Sequence, residues 1–301
     1  SASAATAALG FGGYVLAAMG DGARSLEAAG FAALISIALA AVIALTALVL
    51  TGVRRSSAVN VAIVSVTVLA LLAFILAGLP AAARDGGANF AGFFDGRGEG
   101  SALGNLLQAT ALSFVAYTGY GRIATLGEEV RRPRRTIPAA IIVTLAVSAL
   151  LYAGVAVVGI GVGGVAGFAG AAEGEAAPLA LIARSLGGGL GTSLAWLVTL
   201  GAVTAMLGVL LNLILGLSRV MLAMARRGDL PGSIGRLNRA RTTPVVAVAL
   251  TGLVIAGLVC IGRVELTWSF SALTVLIYYG ITNAACLRLP AERRLYPRAF
   301  A

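Results

Sequence analysis

The chain has 301 residues, of which 59% are apolar and 11% are charged, and 40 are glycine. A soluble globular domain carries about 25% charged residues, so this composition excludes an ordinary soluble domain and indicates a membrane protein. The 22 basic residues are all arginine and outnumber the 12 acidic residues, which gives a net charge of +10.

Eight charge-free windows follow one another along the chain. Each can cross a bilayer, because the hydrocarbon core needs about 20 apolar helical residues, and none shows the alternation that a barrel strand requires. No polar linker exceeds a short loop, so the sequence predicts an all-α membrane protein of eight transmembrane helices in a single domain, residues 1–301. The windows are residues 1–20, 28–53, 56–83, 100–121, 136–172, 185–218, 242–262 and 266–287.

The first window is interpreted as a spanning helix. It lacks the basic region of a signal peptide, and Gly12 and Gly13 suit the apolar core of such a peptide poorly. Because the chain starts at Ser1, without a methionine, we expect it to be a fragment of a longer protein.

The arginines fall mainly in alternate loops. Fifteen lie in the segments 54–55, 131–135, 226–241 and 288–298, against five at Arg24, Arg84, Arg97, Arg184 and Arg263. The positive-inside rule places the first set, and both ends of the chain, in the cytoplasm. Anionic lipid headgroups are then the expected counter-charge. No nucleic-acid partner is expected, because no soluble domain presents a basic face.

The fourth window carries two glycines, Gly119 and Gly121, near its end. Glycine has no β-carbon to resist non-helical φ and ψ, so the pair favours a break in the helix at membrane depth. Such a break is tolerated only where the backbone is buried in protein or lines a cavity, which favours a transport site. The alternative is a notch that lets two helices approach closely.

Four segments carry a resemblance to a known family. Residues 114–138, with FVAYTGY at the start and EEVRRPRRTIP at the end, resemble the sixth helix and following loop of the amino acid, polyamine and organocation permeases. Leu217–Pro231 is similar to the family's eighth helix and its cytoplasmic exit, and Thr51–Asn60 to the turn between helices four and five. With Tyr278–Asn283, the resemblance covers the whole chain as family helices three to ten.

The resemblance implies two inverted repeats of five helices, with the substrate between broken helices one and six. Family helices one and two would be absent, so the chain would own only the half-site for the substrate's amino group. Some cation-selective relatives have an acid where this chain has Gly121. The glycine therefore argues against a cationic substrate. The residues that match the substrate site are Val115, Ala116, Tyr117, Gly119 and Gly121, with Phe114 as a candidate gate.

The residues that would decide ion coupling are less specific. Several proton-coupled relatives have a lysine in helix five, and Thr67 stands about where it would fall. Thr199, Thr204 and Asn212 could line an ion site, although hydrogen bonding within and between helices is the default for such side chains. The resemblance implies no cofactor and leaves open whether protons or sodium ions drive transport.

Four charged residues form a candidate inner gate. Arg122 and Arg219 end two charge-free windows, and Glu128 and Glu129 are the acids nearest the cytoplasmic end of the broken span. Unpaired charges at such depth are costly, so an ion pair among them would close the cytoplasmic face. The alternative is a solvated pair that contributes about 0–1 kcal/mol.

These patterns favour a secondary active transporter of amino acids, embedded in the lipid bilayer of the cytoplasmic membrane. One alternative is a truncated membrane subunit or remnant that does not transport, and another is a permease for a different organic cation. An enzyme is not expected, because no nucleophile with its base, no paired carboxylates and no phosphate loop appears. The sequence does not specify the amino acid or the oligomeric state.

Overall fold

A computed structural model describes residues 2–19, 27–51, 56–84, 87–91, 93, 101–119, 132–174, 177–238 and 243–288. These residues form helices and connecting turns, and no strand occurs among them. Each of the eight charge-free windows contains a helix, which confirms the predicted all-α class for the described part of the chain.

The helices follow the chain in the order of the windows, with one additional short helix, α6. Two short 3-10 helices, Ala88–Phe90 and Gly232–Gly235, lie in loops. The α-helices are α1 (Ala2–Ala18), α2 (Glu27–Thr51), α3 (Ser56–Arg84), α4 (Ala102–Ala116), α5 (Pro133–Gly174), α6 (Pro178–Ser185), α7 (Gly188–Arg227), α8 (Val245–Val259) and α9 (Val264–Arg288).

Five helices, α2, α3, α5, α7 and α9, are long and apolar enough to cross a membrane. The apolar helices α1, α4 and α8 have 17, 15 and 15 residues. At 1.5 Å per residue, the two shortest extend about 22 Å, which is less than the hydrocarbon core of roughly 30 Å. Five spanning helices among the described residues therefore follow from length and composition.

The chain divides into two compact units. The first unit comprises Ser1–Phe93 and Ala153–Thr267, and the second comprises Phe94–Tyr152 and Trp268–Ala301. The first unit contains α1, α2, α3, α6, α7, α8 and the later part of α5. The second contains α4, the first part of α5 and most of α9.

Two clusters of buried apolar side chains form the core of the first unit. Leu9 and Ile214 belong to a cluster that joins α1, α2, α7 and α8. Phe74 and Val158 belong to the other, which joins α1, α3, α5, α6 and α7. All four of these side chains are completely buried.

Small residues bring α3 and α7 of this unit close together. Gly201 faces Ala70 and Gly208 faces Ile63, so closely that an added β-carbon would overlap its neighbour. Lipid tails are as apolar as leucine, so membrane helices associate mainly by such close packing. Part of the glycine content of the chain therefore serves helix packing.

Helix α5 bends at Gly164, whose φ of 69° and ψ of 165° are non-helical. A helix end or bend leaves carbonyl groups of the preceding turn without their helical partners. The Asn89 side chain donates through Nδ2 to the carbonyl oxygen of Gly161, at 2.8 Å. The 3-10 helix before α4 thus satisfies a buried carbonyl next to the bend.

Candidate functional site

Helix α4 begins at a side-chain cap and ends within its charge-free window. The Ser101 Oγ accepts a hydrogen bond from the Gly104 amide at 3.1 Å, which satisfies one of the free donors of the first turn. The helix ends at Ala116, after 15 residues. Because its length is only about 22 Å, the chain leaves the helix before it could cross the hydrocarbon core.

Gly119, in the turn after α4, has a non-helical backbone conformation. Its φ is 108°, in the region that side-chain-bearing residues rarely adopt. Among the described residues, no atom lies within 4 Å of the position that a β-carbon would take. The backbone conformation, and not crowding, is therefore what requires glycine here.

The last carbonyl groups of α4 have three different sets of partners. The Phe114 oxygen accepts from the Tyr117 amide at 3.1 Å. The Val115 oxygen accepts from the Thr118 amide at 3.1 Å and from the Thr118 Oγ1 at 2.7 Å. The Ala116 oxygen accepts from the Tyr152 hydroxyl of α5 at 2.9 Å. The last three carbonyl oxygens of α4 therefore lie together where the helix ends. That they bind substrate stays a prediction.

Aromatic side chains surround this helix end within the second unit. The Phe114 ring meets the Tyr279 ring edge-on, with centroids 5.7 Å apart. Tyr117 meets Tyr152 at 5.2 Å and 74°, and Tyr279 also contacts Tyr278 at 5.3 Å. Edge-on pairs at these distances are the favourable arrangement of aromatic rings. The candidate gate Phe114 thus has a defined partner on α9.

The candidate substrate residues differ in exposure. Val115 is buried, whereas Phe114, Tyr117 and Gly119 are half-buried and Ala116 is exposed. The structure thus brings together five of the six predicted substrate-binding residues in one turn. Gly121, the sixth, lies outside the described residues.

The candidate inner gate falls largely on undescribed positions. Arg122, Glu128 and Glu129 lie outside the described residues. Arg219 lies in α7 of the first unit, with an exposed side chain. The predicted ion pair among these four charges stays a prediction.

Polar side chains considered for ion coupling make hydrogen bonds within the first unit. The hydroxyls of Thr199 and Thr204 donate to carbonyls of their own helix, at 2.8 Å and 2.9 Å. Thr67 donates to the Ile63 carbonyl at 3.0 Å, and also lies 3.3 Å from the Gly201 carbonyl of α7. Each of these three hydroxyls thus donates to the carbonyl four residues earlier in its own helix, as expected for threonine in a helix.

The amide of Asn212 makes a different bond. Its Nδ2 donates to the Asn60 Oδ1 at 2.7 Å, which links α7 to α3 by a side-chain pair. The sequence placed Asn212 among polar residues of a span but did not identify Asn60 as its partner. A second asparagine near one end of another span was the available signal.

Two tyrosines that contact the predicted site were missed by reasoning from the sequence. Tyr152 and Tyr279 reach Ala116, Tyr117 and Phe114 from α5 and α9. Tyr152 stands alone among apolar and small residues, and a phenol in an apolar span needs a hydrogen-bond partner. That need was a usable signal, although it does not identify the partner.

Comparison with known proteins gives one matching family and several related transporters. The family described as amino acid permease matches residues 1–301. An uncharacterized transporter of Mycobacterium tuberculosis, strain H37Rv, is 39% identical over 269 residues, which cover 87% of this chain and 58% of that transporter.

Two further relatives carry substrate names and come from Bacillus subtilis, strain 168. The branched-chain amino acid permease BcaP is 30% identical over 259 residues, 86% of this chain and 52% of the permease. A methylthioribose transporter is 29% identical over 217 residues, 72% of this chain and 44% of that protein. The chain therefore spans about half the length of the curated relatives that it matches.

Proposed function

The chain belongs to the amino acid permease family, whose pattern matches it from residue 1 to residue 301, and from this membership we propose that the complete protein is a secondary transporter of amino acids. The resemblance to the amino acid, polyamine and organocation permeases is thereby confirmed. With several helices apolar enough to span a bilayer, the chain is a multi-pass membrane protein. We place it in the cytoplasmic membrane, where it would work by alternating access.

The end of α4 is the observation that supports this proposal most. Helix ends in transporters bind the charged groups of substrates, because amides and helix N-termini attract anions while free carbonyls attract cations. The carbonyl oxygens of Phe114, Val115 and Ala116 lie together at this helix end. Among the described residues, those of Phe114 and Ala116 each accept one hydrogen bond, and a carbonyl oxygen can accept two. They suit the ammonium group of an amino acid. The carboxylate would bind elsewhere in the complete protein.

The proposed architecture has all eight helices of the windows crossing the bilayer. Helices α1 and α8 would cross with help from flanking residues, and α4 would form the first half of a broken span that ends at Gly121 or beyond. Both compact units would belong to one permease domain, in which these helices are members of an inverted repeat. This arrangement is what the resemblance to the amino acid, polyamine and organocation permeases implies.

The proposed substrate class is neutral amino acids. Gly121 stands where some cation-selective relatives have an acid, and one relative is named a branched-chain amino acid permease. Proton or sodium coupling is compatible with the residues present. We assign the chain no catalytic reaction and no cofactor.

Uptake into proteoliposomes tests the function. The complete product of the gene would be purified and reconstituted, and each of the 20 amino acids would be offered in labelled form with proton and sodium gradients imposed separately. We expect saturable uptake of one or more neutral amino acids, driven by one of the gradients. Protein-free liposomes are the control. No uptake of any amino acid would contradict the proposal and favour another organic cation or a non-transporting remnant.

We further propose that Glu129 or Glu128 pairs with Arg219 or Arg122 to close the cytoplasmic side. Reversing the charge at Glu129 to arginine should impair uptake, and reversing Arg219 or Arg122 to glutamate in the same protein should partly restore it. Arg226→Glu is the matched control, since Arg226 is exposed in the last turn of α7. Equal uptake after reversal of Arg219, Arg122 or Arg226 would indicate that Glu129 lies in a solvated loop without a specific partner.

A further inference from the structure

We propose that the Tyr152 hydroxyl is part of the substrate site and that, together with the Ala116 carbonyl, it binds the amino group of the substrate. This inference rests on the proposed function, because it extends the site at the end of α4 to a residue of α5. The supporting observations all lie within the second unit, on α4, α5 and the turn at Tyr117–Gly119.

The bonding of the three carbonyls singles out Ala116. A carbonyl oxygen has two lone pairs, and the Val115 oxygen already accepts both the amide and the hydroxyl of Thr118. The Phe114 oxygen is bonded by its own turn. The Ala116 oxygen accepts from a side chain of another helix, at 2.9 Å. Of these three carbonyls, that of Ala116 is therefore the one bonded by a side chain from another helix.

The Tyr152 hydroxyl adds an acceptor beside that carbonyl. A phenol has one proton to donate, and Tyr152 uses it toward Ala116, so its own oxygen keeps lone pairs that can accept. Two oxygen atoms 2.9 Å apart can both lie within hydrogen-bond distance, about 2.7–3.2 Å, of a single nitrogen. An ammonium group has three N–H donors and no acceptor, and it matches this oxygen pair, whereas a carboxylate would be repelled.

The position of the ring keeps the hydroxyl available. Tyr152 packs edge-on against Tyr117, which fixes the direction of the ring. Tyr152 as a whole residue is 39% exposed and so is not part of the buried core of the described residues. Ala116 is an exposed residue as well. We therefore expect a substrate to reach both oxygen atoms without unfolding either helix.

Tyr152→Phe removes the hydroxyl and keeps the ring that contacts Tyr117. In the complete, reconstituted protein, we expect the dissociation constant for the transported amino acid to rise about tenfold or more, as for a lost hydrogen bond to a charged group. Tyr278→Phe is the matched control. It removes a phenol hydroxyl from the same unit, on an exposed residue that packs against Tyr279, and should leave the dissociation constant unchanged.

A second compound distinguishes direct binding of the amino group by Tyr152 from a purely structural role of its hydroxyl. The N,N-dimethyl derivative of the same amino acid has one N–H donor in place of three, so wild-type protein should bind it more weakly. If Tyr152 binds the amino group, the variant should discriminate between the two compounds several-fold less than wild type does, because one acceptor is already gone. If the hydroxyl only caps the Ala116 carbonyl, its loss should raise the dissociation constants of both compounds by the same factor.

The outcomes distinguish this inference from the function on which it rests. Loss of affinity together with reduced discrimination in Tyr152→Phe supports it. Unchanged affinity in the variant, or equal weakening of both compounds, overturns it while leaving amino-acid transport intact. Failure of wild-type protein to bind any amino acid overturns the proposed function itself. The ring retained in Tyr152→Phe should allow folding, and a monodisperse elution profile checks this.

Discussion

Thr118, one residue before the glycine, controls how the helix end is bonded. Its amide and its hydroxyl both bond the Val115 oxygen, at 3.1 Å and 2.7 Å. Threonine often competes in this way for backbone groups near a helix end. Among the described residues, the Val115 oxygen therefore has more hydrogen-bond partners than the oxygens of Phe114 and Ala116.

The edge-on contact between Phe114 and Tyr279 should retain substrate in the site. Phe114→Ala removes the ring and an attraction of about 0.5–1.5 kcal/mol. We therefore expect preloaded amino acid to leave proteoliposomes about two- to tenfold faster. Efflux into substrate-free buffer measures the rate.

Phe270→Ala provides the comparison for this change. Phe270 lies on α9 of the same unit and is 58% exposed, so its loss should not affect efflux. Equal efflux from Phe114→Ala and Phe270→Ala would contradict a gating role for Phe114.

The residues of the break could be predicted from the sequence, but their partners could not. Gly119 has the positive φ that two nearby glycines in a span indicate. Tyr152 lies 36 residues further along the chain than Ala116. Only the packing of α5 beside α4 brings them together, and local spacing carries no information about that packing. The same holds for Asn60 and Asn212.

At the scale of elements, helix ends depend on backbone chemistry more than on hydropathy. The window 185–218 stops before Arg219, yet α7 continues to Arg227. The charge of Arg219 ends the apolar window but does not end the helix. The helix ends instead at Gly228, whose φ of 86° is typical of a left-handed cap. Apolar windows therefore predicted the existence of the eight longer helices better than their bounds, and they did not predict α6.

The bend of α5 requires glycine at position 164. Gly164→Ala forces a side chain into a left-handed φ, which costs roughly 1–2 kcal/mol. The only described atom near the new β-carbon would be the Asn89 Oδ1 at 3.8 Å, an ordinary contact. We expect the melting temperature of the detergent-solubilised protein to fall by a few degrees.

Gly170→Ala tests whether this loss is specific to the bend. Gly170 follows the bend in α5, has no positive φ and has no described atom within 4 Å of a built β-carbon. Alanine there should be neutral or slightly stabilising, since it favours the helix. A melting temperature lowered equally by both substitutions would contradict the role assigned to Gly164.

At the scale of the whole molecule, the asymmetric distribution of arginine predicts the orientation in the membrane. Arg132, just before α5, and Arg184, in α6, belong to opposite sets of arginines, so they should face opposite sides of the membrane. Both side chains are exposed among the described residues. Cysteine accessibility in intact cells can therefore test the orientation directly.

For this test, Cys260 and Cys286 are first replaced by alanine, because both are exposed. A cysteine at position 184 should then react with an impermeant reagent added outside the cells. A cysteine at position 132 should react only after the membrane is opened. Labelling of position 132 from outside would contradict the orientation and the even number of spans on which it depends.

We propose that the backbone turn at Gly119 holds the amino group of an amino-acid substrate. Equilibrium binding of a labelled amino acid to the purified complete protein tests it most directly, with Gly119→Val beside Gly257→Val. A β-branched residue cannot adopt a φ of 108° without severe strain. Gly257 has open space and no positive φ, so valine there is a matched control. We expect Gly119→Val to fold but no longer to bind the amino acid, and Gly257→Val to bind it as the wild type does. Wild-type affinity in Gly119→Val would contradict the proposal.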